Sequence, residues 1–336
     1  MEEKRFDVTA IGELLIDFIQ YGESEQGNPL FEANPGGAPC NVLSMLAGLG
    51  DRTAFIGKVG EDGFGRQLSD AVKEQGIDVG GLVFDDSVHT TLALVHRLEN
   101  GDRDFSFYRK PGADMCLTEA ELFEDMIRNT RLFHFGSLSM TDEPVRSATM
   151  RAILLAKESG ALVSFDPNLR IPLWDSLELA KEQIAAGMAQ CDLMKISDNE
   201  IQWFTGKEDF DEGAAVILGQ NPGLRLLLVS LGSDGSLAFY RKEQGADMEQ
   251  TIRVMVPAFL QEGTIETTGA GDTFMGSMLH YVLRYGLEGL DAEKLTEALT
   301  FANAAASIIT TRKGALRVMP KSDEVEAFLR ENGTGA

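Results

Sequence analysis

The stretch Glu266-Thr267-Thr268-Gly269-Ala270-Gly271-Asp272-Thr273-Phe274 joins a run of small residues directly to the apolar helical pattern of residues 273–285. Gly269 and Gly271 permit unusual torsions and close backbone approach. A helix that opens this way leaves its first N–H groups without partners and pointing outward. Such an end seats an anion, or negative charge that develops during a reaction. Asp272 stands at its lip, where a carboxylate can take a proton from an attacking hydroxyl. Read alone, the segment also fits an ordinary helix start whose glycines only turn the chain. A dinucleotide fingerprint does not fit, because Gly269, Gly271 and Gly276 read GxGxxxxG and the motif lies far along the chain. A Walker P-loop is absent too: Gly57-Lys58 is followed by Val and Gly206-Lys207 by Glu.

Upstream of this motif, short apolar runs alternate with helical patterns. Strand-like runs occupy Phe6–Ile11 and residues 53–59, 132–135, 161–165, 192–196 and 224–231. Helical patterns cover 39–49, 64–75, 144–159, 177–189 and 199–205, and a last long one follows at 292–310 around Asn303. Strand then helix, repeated, predicts an α/β fold with a central, mostly parallel sheet flanked by helices. Two regions break the pattern, at about 13–34 and 89–110. In the second, Leu92, Leu94, His96 and Leu98 alternate, and residues 105–109 follow a turn containing Gly101. Both read as β-ribbon, either an ordinary surface ribbon or a small sheet projecting as a lid. The expectation is one domain, 1–336, with a lid built from these two insertions.

Charge limits the partners. Lys and Arg number 30 against 53 Asp and Glu, a formal net charge of -23. So acidic a surface repels nucleic acid and anionic lipid, and repels phosphorylated ligands at long range as well. A site for such ligands must gather positive potential locally, from helix N-termini, arginines and bound cations. The opening MEEKRFDV lacks the apolar stretch of a signal peptide. No apolar run nears the ~18 residues that span a bilayer. Cys40, Cys116 and Cys191 are odd in number and widely spaced, which predicts reduced thiols and a cytoplasmic setting. His89, His96, His134 and His280 are scattered without metal-ligand spacing to any cysteine, and His134 reads as a core histidine.

A second small-residue motif, Pro35-Gly36-Gly37-Ala38-Pro39-Cys40-Asn41-Val42, precedes the first by about 230 residues. Gly12-Glu13-Leu14-Leu15-Ile16-Asp17, Phe55-Ile56-Gly57-Lys58-Val59-Gly60, Phe107-Tyr108-Arg109, Asp166-Pro167-Asn168-Leu169-Arg170 and Lys195-Ile196-Ser197-Asp198-Asn199-Glu200 complete the pattern. Over nearly its whole length the sequence resembles the ribokinase-like (PfkB) family of carbohydrate kinases, and within it the fructokinases.

The resemblance implies a ribokinase-like fold and phosphoryl transfer from ATP to a sugar, D-fructose giving fructose 6-phosphate. It implies Asp272 as base, the backbone of Gly269, Ala270 and Gly271 as an anion hole, and Arg170 beside them. Asp17, Gly36, Gly37, Asn41, Phe107, Arg109, Arg170 and Asp272 would hold the sugar. Asp17 would stand at the C-terminal end of the first strand, and Arg109 would reach down from the lid. Lys195, Ser230, Gly232, Gly235, Gly269, Gly271 and Asn303 would meet ATP. Glu200 would help hold Mg2+ through water, although Ser197 stands at the asparagine position of the family's Asn-x-x-Glu motif. Glu266 replaces the usual aspartate of a loop that binds a monovalent cation in many relatives, so dependence on K+ is left open. A homodimer through the lid is implied in the same way. A 2-keto-3-deoxygluconate kinase, using Arg109 and Arg170 on the acid group, is the nearest rival. A catalytically silent relative with a binding role is another, against which Asp272, its two glycines and Glu200 are intact.

Overall fold

A computed structural model describes residues 4–97 and 103–333. Leu98 and the turn around Gly101 lie outside the described residues. The strands, in chain order, are β1 (Phe6–Ile11), β2 (Leu15–Glu23), β3 (Pro29–Gly36), β4 (Thr53–Gly60), β5 (Asp78–Asp85), β6 (Leu92–Arg97), β7 (Arg103–Tyr108), β8 (Thr130–Gly136), β9 (Leu162–Asp166), β10 (Leu193–Ser197), β11 (Leu226–Ser230), β12 (Ser236–Tyr240) and β13 (Ile252–Val256).

Nine of them form one sheet in the order β13-β12-β11-β10-β9-β8-β1-β4-β5. From β5 to β11 every pairing is parallel, and β12 and β13 close the far edge antiparallel. A parallel sheet needs helical crossovers on both faces, so its strands read as continuous apolar runs. β1 and β4 are buried throughout. One face packs on the helices Ala38–Gly48, Ala270–Tyr285 and Ala292–Ile309, the other on Val145–Glu158, Leu177–Met188 and Phe210–Gln220. His134 in β8 is buried, meets Ser164 Oγ at 2.8 Å, and is held down to about 3 by desolvation and then by Lys195. The sequence pattern does not reveal β5, where Gly80 and Gly81 interrupt the apolar run.

The other four strands form a separate sheet in the order β3-β2-β6-β7. Its outer pairs are antiparallel and the central pair, β2 with β6, is parallel. It begins at Leu15, so Asp17 does not stand at the end of β1. It lies inside β2, paired with Asn34 of β3. The sheet is tied to the body by Phe18 against Phe64, edge to face at 5.6 Å, and by Gln67 Nε2 donating to the Ala33 carbonyl at 3.2 Å.

Parallel strands present all their C-terminal ends on one side, the usual place for a ligand in open α/β sheets. Asn168 and Arg170 follow β9, Lys195 lies in β10, and Ser230 ends β11 on that side. Phe135 of β8 and Phe165 of β9, paired across the two strands, stack at 4.6 Å and are both fully buried. Phe135→Ala is expected to cost about 3–5 kcal/mol of unfolding free energy, read as a lowered urea midpoint at unchanged slope.

Candidate active site

The helix Ala270–Tyr285 starts from Gly269 in the left-handed region, at φ 78°. A Cβ on Gly269 would also lie 2.6 Å from that of Ala315, so both torsion and space require glycine. The Ala270 N–H turns back to the Thr267 carbonyl at 3.2 Å, and so is engaged inside the turn. No side chain caps the first-turn donors that remain, at Gly271 and Asp272. They carry the positive end of the helix dipole.

Two cavities meet at this point. The first, of about 400 Å³, lies between the small sheet and the strand ends. Glu13, Asp17, Gly37, Asn41, Phe107, Arg170, Lys195 and Asp272 are among its walls. The second, of about 350 Å³, is lined by Ser230, Gly232, Gly235, Asn303 and the largely apolar segment from Ala258 to Leu260. Thr267 and Gly271 belong to both, and Asp272 faces the first.

Asp272 accepts a hydrogen bond from Asn41 Nδ2 at 2.8 Å. Burial raises its carboxyl above the usual range, while Asn41, Lys195 and Arg170 pull it back. The Asn41 Oδ1 is buried without a hydrogen-bond partner, an acceptor waiting for a donor in the cleft. Asp17 is pushed up to about 7 by desolvation. Arg170 opposes this, and Glu266 and Asp272 add to it. A Cβ on Gly36 would overlap the Asp17 carboxylate, so the bare glycine lets that group sit down on β3.

Lys195 Nζ lies 3.1 Å from Asp166. A Cβ on Gly271 would be 3.0 Å from the same nitrogen, which puts this ammonium against the helix start. Desolvation works against its charge, yet Asp166, Glu200 and Asp272 raise its pKa, so it stays cationic. Desolvation lifts Asp166 to about 7 despite Lys195, with Glu200 and Asp272 adding repulsion.

Several expectations change at this level. Arg109 does not reach the first cavity. It is buried, with Nε on Asp114 at 2.7 Å, one terminal nitrogen on Thr141 at 3.0 Å and the other on the Leu138 carbonyl at 2.9 Å. Lys195, expected to meet ATP, lines the first cavity and not the second, where Ser230, Gly232 and Gly235 lie. Asn303 does line the second, but its amide is already used: Nδ2 donates to Val256 and Pro257, and Oδ1 accepts from Ser236. It therefore shapes the wall. Glu13 is a lining residue that sequence reading passed over, since an acid just after a strand looks solvated.

Magnesium takes hard oxygen ligands and keeps several waters. Glu200 caps its own helix, accepting from Ser197 N–H and Oγ at 2.8 Å each, and from Leu169 N–H at 2.6 Å. With both oxygens engaged it fits a role toward metal-bound water. Asp166, repelled by Glu200 and Asp272, fits a nearby cation. Glu266, longer than the usual aspartate, accepts the Gly314 N–H at 2.7 Å.

Residues 5–322 match the model of the pfkB family carbohydrate kinases. The chain belongs to the pfkB family of carbohydrate kinases. Among members of this pfkB family, rice (Oryza sativa subsp. japonica) Fructokinase-1 is 42% identical over 320 residues, 95% of this chain and 96% of its own. A Xylella fastidiosa fructokinase solved with bound ATP superposes at a TM-score of 0.86, with 29% identity over 97% of this chain and 99% of that one. A double mutant of Vibrio cholerae fructokinase, solved with fructose, ADP and potassium ion, superposes at 0.83 with 30% identity over 98% and 100%.

The geometry makes a direct electrostatic prediction. In a carboxyl-resolved NMR titration, Asp17 should titrate near 7. Arg170→Ala should move it further up, and Asn41→Ala should move Asp272 up, because each removes a group that favours the charged form. An Asp17 value in the ordinary aspartate range would contradict its desolvation in the cavity wall.

Proposed function

We propose that this chain is an ATP-dependent fructokinase, forming fructose 6-phosphate, with Asp272 as its base. Its family makes it an ATP:sugar phosphotransferase that works with ATP and a divalent metal. The observation that carries the reading is the position of Asp272, in the wall of the first cavity next to Gly271, which lines both, and beside an open helix N-terminus.

The sugar occupies the first cavity, its hydroxyls met by Asp17, Asn41 and the backbone at Gly37. ATP lies in the second, along Ser230, Gly232 and Gly235, with its γ-phosphoryl at Gly271. The sugar's primary hydroxyl oxygen attacks phosphorus while Asp272 accepts its proton, and the bond to the ADP oxygen breaks. The N–H groups of the helix start, Lys195 and Arg170 offset the charge on the transferring group. Glu200 and Asp166 would hold a magnesium ion by way of water, and the ion would supply positive charge to the phosphates. The small sheet acts as a lid, carrying Asp17 and Phe107 over the sugar and excluding water.

A neutral sugar fits better than an acid. Glu13, Asp17, Glu266 and Asp272 line the cavity against Arg170 and Lys195, and a substrate carboxylate would meet these acids. Arg109, which an acid substrate would have needed, is engaged by Asp114. Tyr21 and Tyr108, each 63% exposed on the small sheet, support a homodimer formed through it. Cys40, Cys116 and Cys191 are all free, which suits the cytoplasm.

The test is ADP release with magnesium ATP over a panel of sugars that includes fructose, ribose and 2-keto-3-deoxygluconate. Fructose should turn over fastest, and Asp272→Asn should lower kcat by about 10²–10⁴-fold. Because burial raises Asp272, kcat should fall as pH drops through its pKa and plateau above it. Preferred turnover of the keto-acid would replace the substrate; no turnover on any sugar would sink the kinase reading.

A further inference from the structure

The helix Ala38–Gly48 carries Asn41, the partner of Asp272, yet it lacks the usual means of fixing its own N-terminus. Its cap residue is Gly37, no side chain of the cap closes the first turn, and the first turn holds no acidic residue. The cap comes from elsewhere: Glu13 Oε1 accepts the Ala38 N–H at 2.8 Å. Glu13 is 4% exposed and sits in the link between the two sheets. A Cβ on Gly37 would overlap the Glu13 carbonyl, so the two backbones lie in contact.

We infer that Glu13 is a positioning residue: by capping the helix Ala38–Gly48 from outside, it sets Asn41 and through Asn41 the carboxylate of Asp272. The inference rests on the kinase reading of this site. A borrowed cap satisfies an orphan donor and favours the helix dipole. It also fixes where the helix begins relative to the cleft. Asn41 lies one turn on, its N–H donating to the Gly37 carbonyl at 3.0 Å. A shift at Ala38 therefore passes directly to the Asn41 amide.

The surroundings fit such a fixed role. Desolvation pushes Glu13 up to about 7, with its own backbone and the Ala38 N–H opposing, Asp114 adding and Arg109 subtracting. The Cys40 thiol, also buried beside it, is pushed well up by desolvation and by the Glu13 charge. Arg109 and Asp114 are locked in their own pair, with Thr91 bonded to Asp114. The side chains around Glu13 are therefore already paired among themselves.

The experiment compares Glu13→Ala, Glu13→Gln, Asn41→Ala and the Glu13→Ala/Asn41→Ala double variant by kcat, sugar KM and an NMR titration of Asp272. Glu13→Ala should lower kcat by about 10²-fold, the scale of a misplaced catalytic group. The titration should rise as it does in Asn41→Ala, because both variants loosen the bond that favours ionised Asp272. The double variant should lose little beyond the larger single loss. Glu13→Gln, which keeps an acceptor oxygen, should recover most of the activity. Multiplying losses, an unmoved Asp272 titration, or a Gln variant no better than Ala would overturn the inference. Should Glu13→Ala fail to fold, Ala38→Pro removes the same donor at a position where helices accept proline; parent-like kcat and titration there would overturn it equally. The titration reads without turnover, so an inactive parent would refute the kinase reading while leaving this one decided on its own data.

Discussion

The polar groups of the cleft answer to one constraint: a helix must begin where two cavities meet, with no side chain in front of its first N–H groups. Gly269 supplies the left-handed turn, and Ala315 presses so closely behind it that no other residue fits. Gly271 then leaves room for the Lys195 ammonium at the same spot. A Cβ at Gly271 would stand 3.0 Å from that ammonium, in the wall that both cavities share.

That constraint explains how so acidic a chain can handle phosphates. Its net charge of -23 gives no long-range attraction for ATP. Positive potential is instead concentrated at the helix start, at Lys195 and at Arg170. The acids nearby serve this arrangement. Asp166, Glu200 and Asp272 together hold Lys195 protonated in a setting that would otherwise strip its proton. Asp17 and Asp166, each lifted to about 7, show the reverse side of the same crowding. Carboxylates gathered out of water need cations and donors to stay ionised, and the reaction partners bring both.

Much of this was legible in the sequence because it depends on local pattern. The apolar runs of β1, β4, β8, β9, β10 and β11 and the long helices are visible as periodicity, to within a few residues. The helix start at Gly269–Asp272 is visible because small residues before an apolar helix have few other uses. What pattern could not show was pairing across the fold. Arg109 looks like a reaching arginine until Asp114, five residues on, turns back to meet it. Asn303 looks like a ligand until two backbone carbonyls and Ser236 claim its amide. Asp17 seemed to end a strand, because nothing local marks the chain's departure from β1 into the second sheet. Glu13 was overlooked for the same reason, since its partner at Ala38 lies 25 residues away.

Asp272 itself depends on pairing over a still longer span. Asp272 and Asn41 are separated by 231 positions and come from different helices, Ala270–Tyr285 and Ala38–Gly48. For a short asparagine to reach across, the two helix backbones must lie unusually close. Gly276, one turn after Asp272, allows it: a Cβ there would stand 2.8 Å from that of Met45 and 2.9 Å from the Val42 carbonyl. The glycine that spoils a dinucleotide fingerprint is thus the one that lets the helices touch. Close packing also makes the contact stiff, because a packed interior moves between discrete arrangements more readily than it stretches. The orientation of Asp272 is then a property of how the first and last thirds of the chain dock.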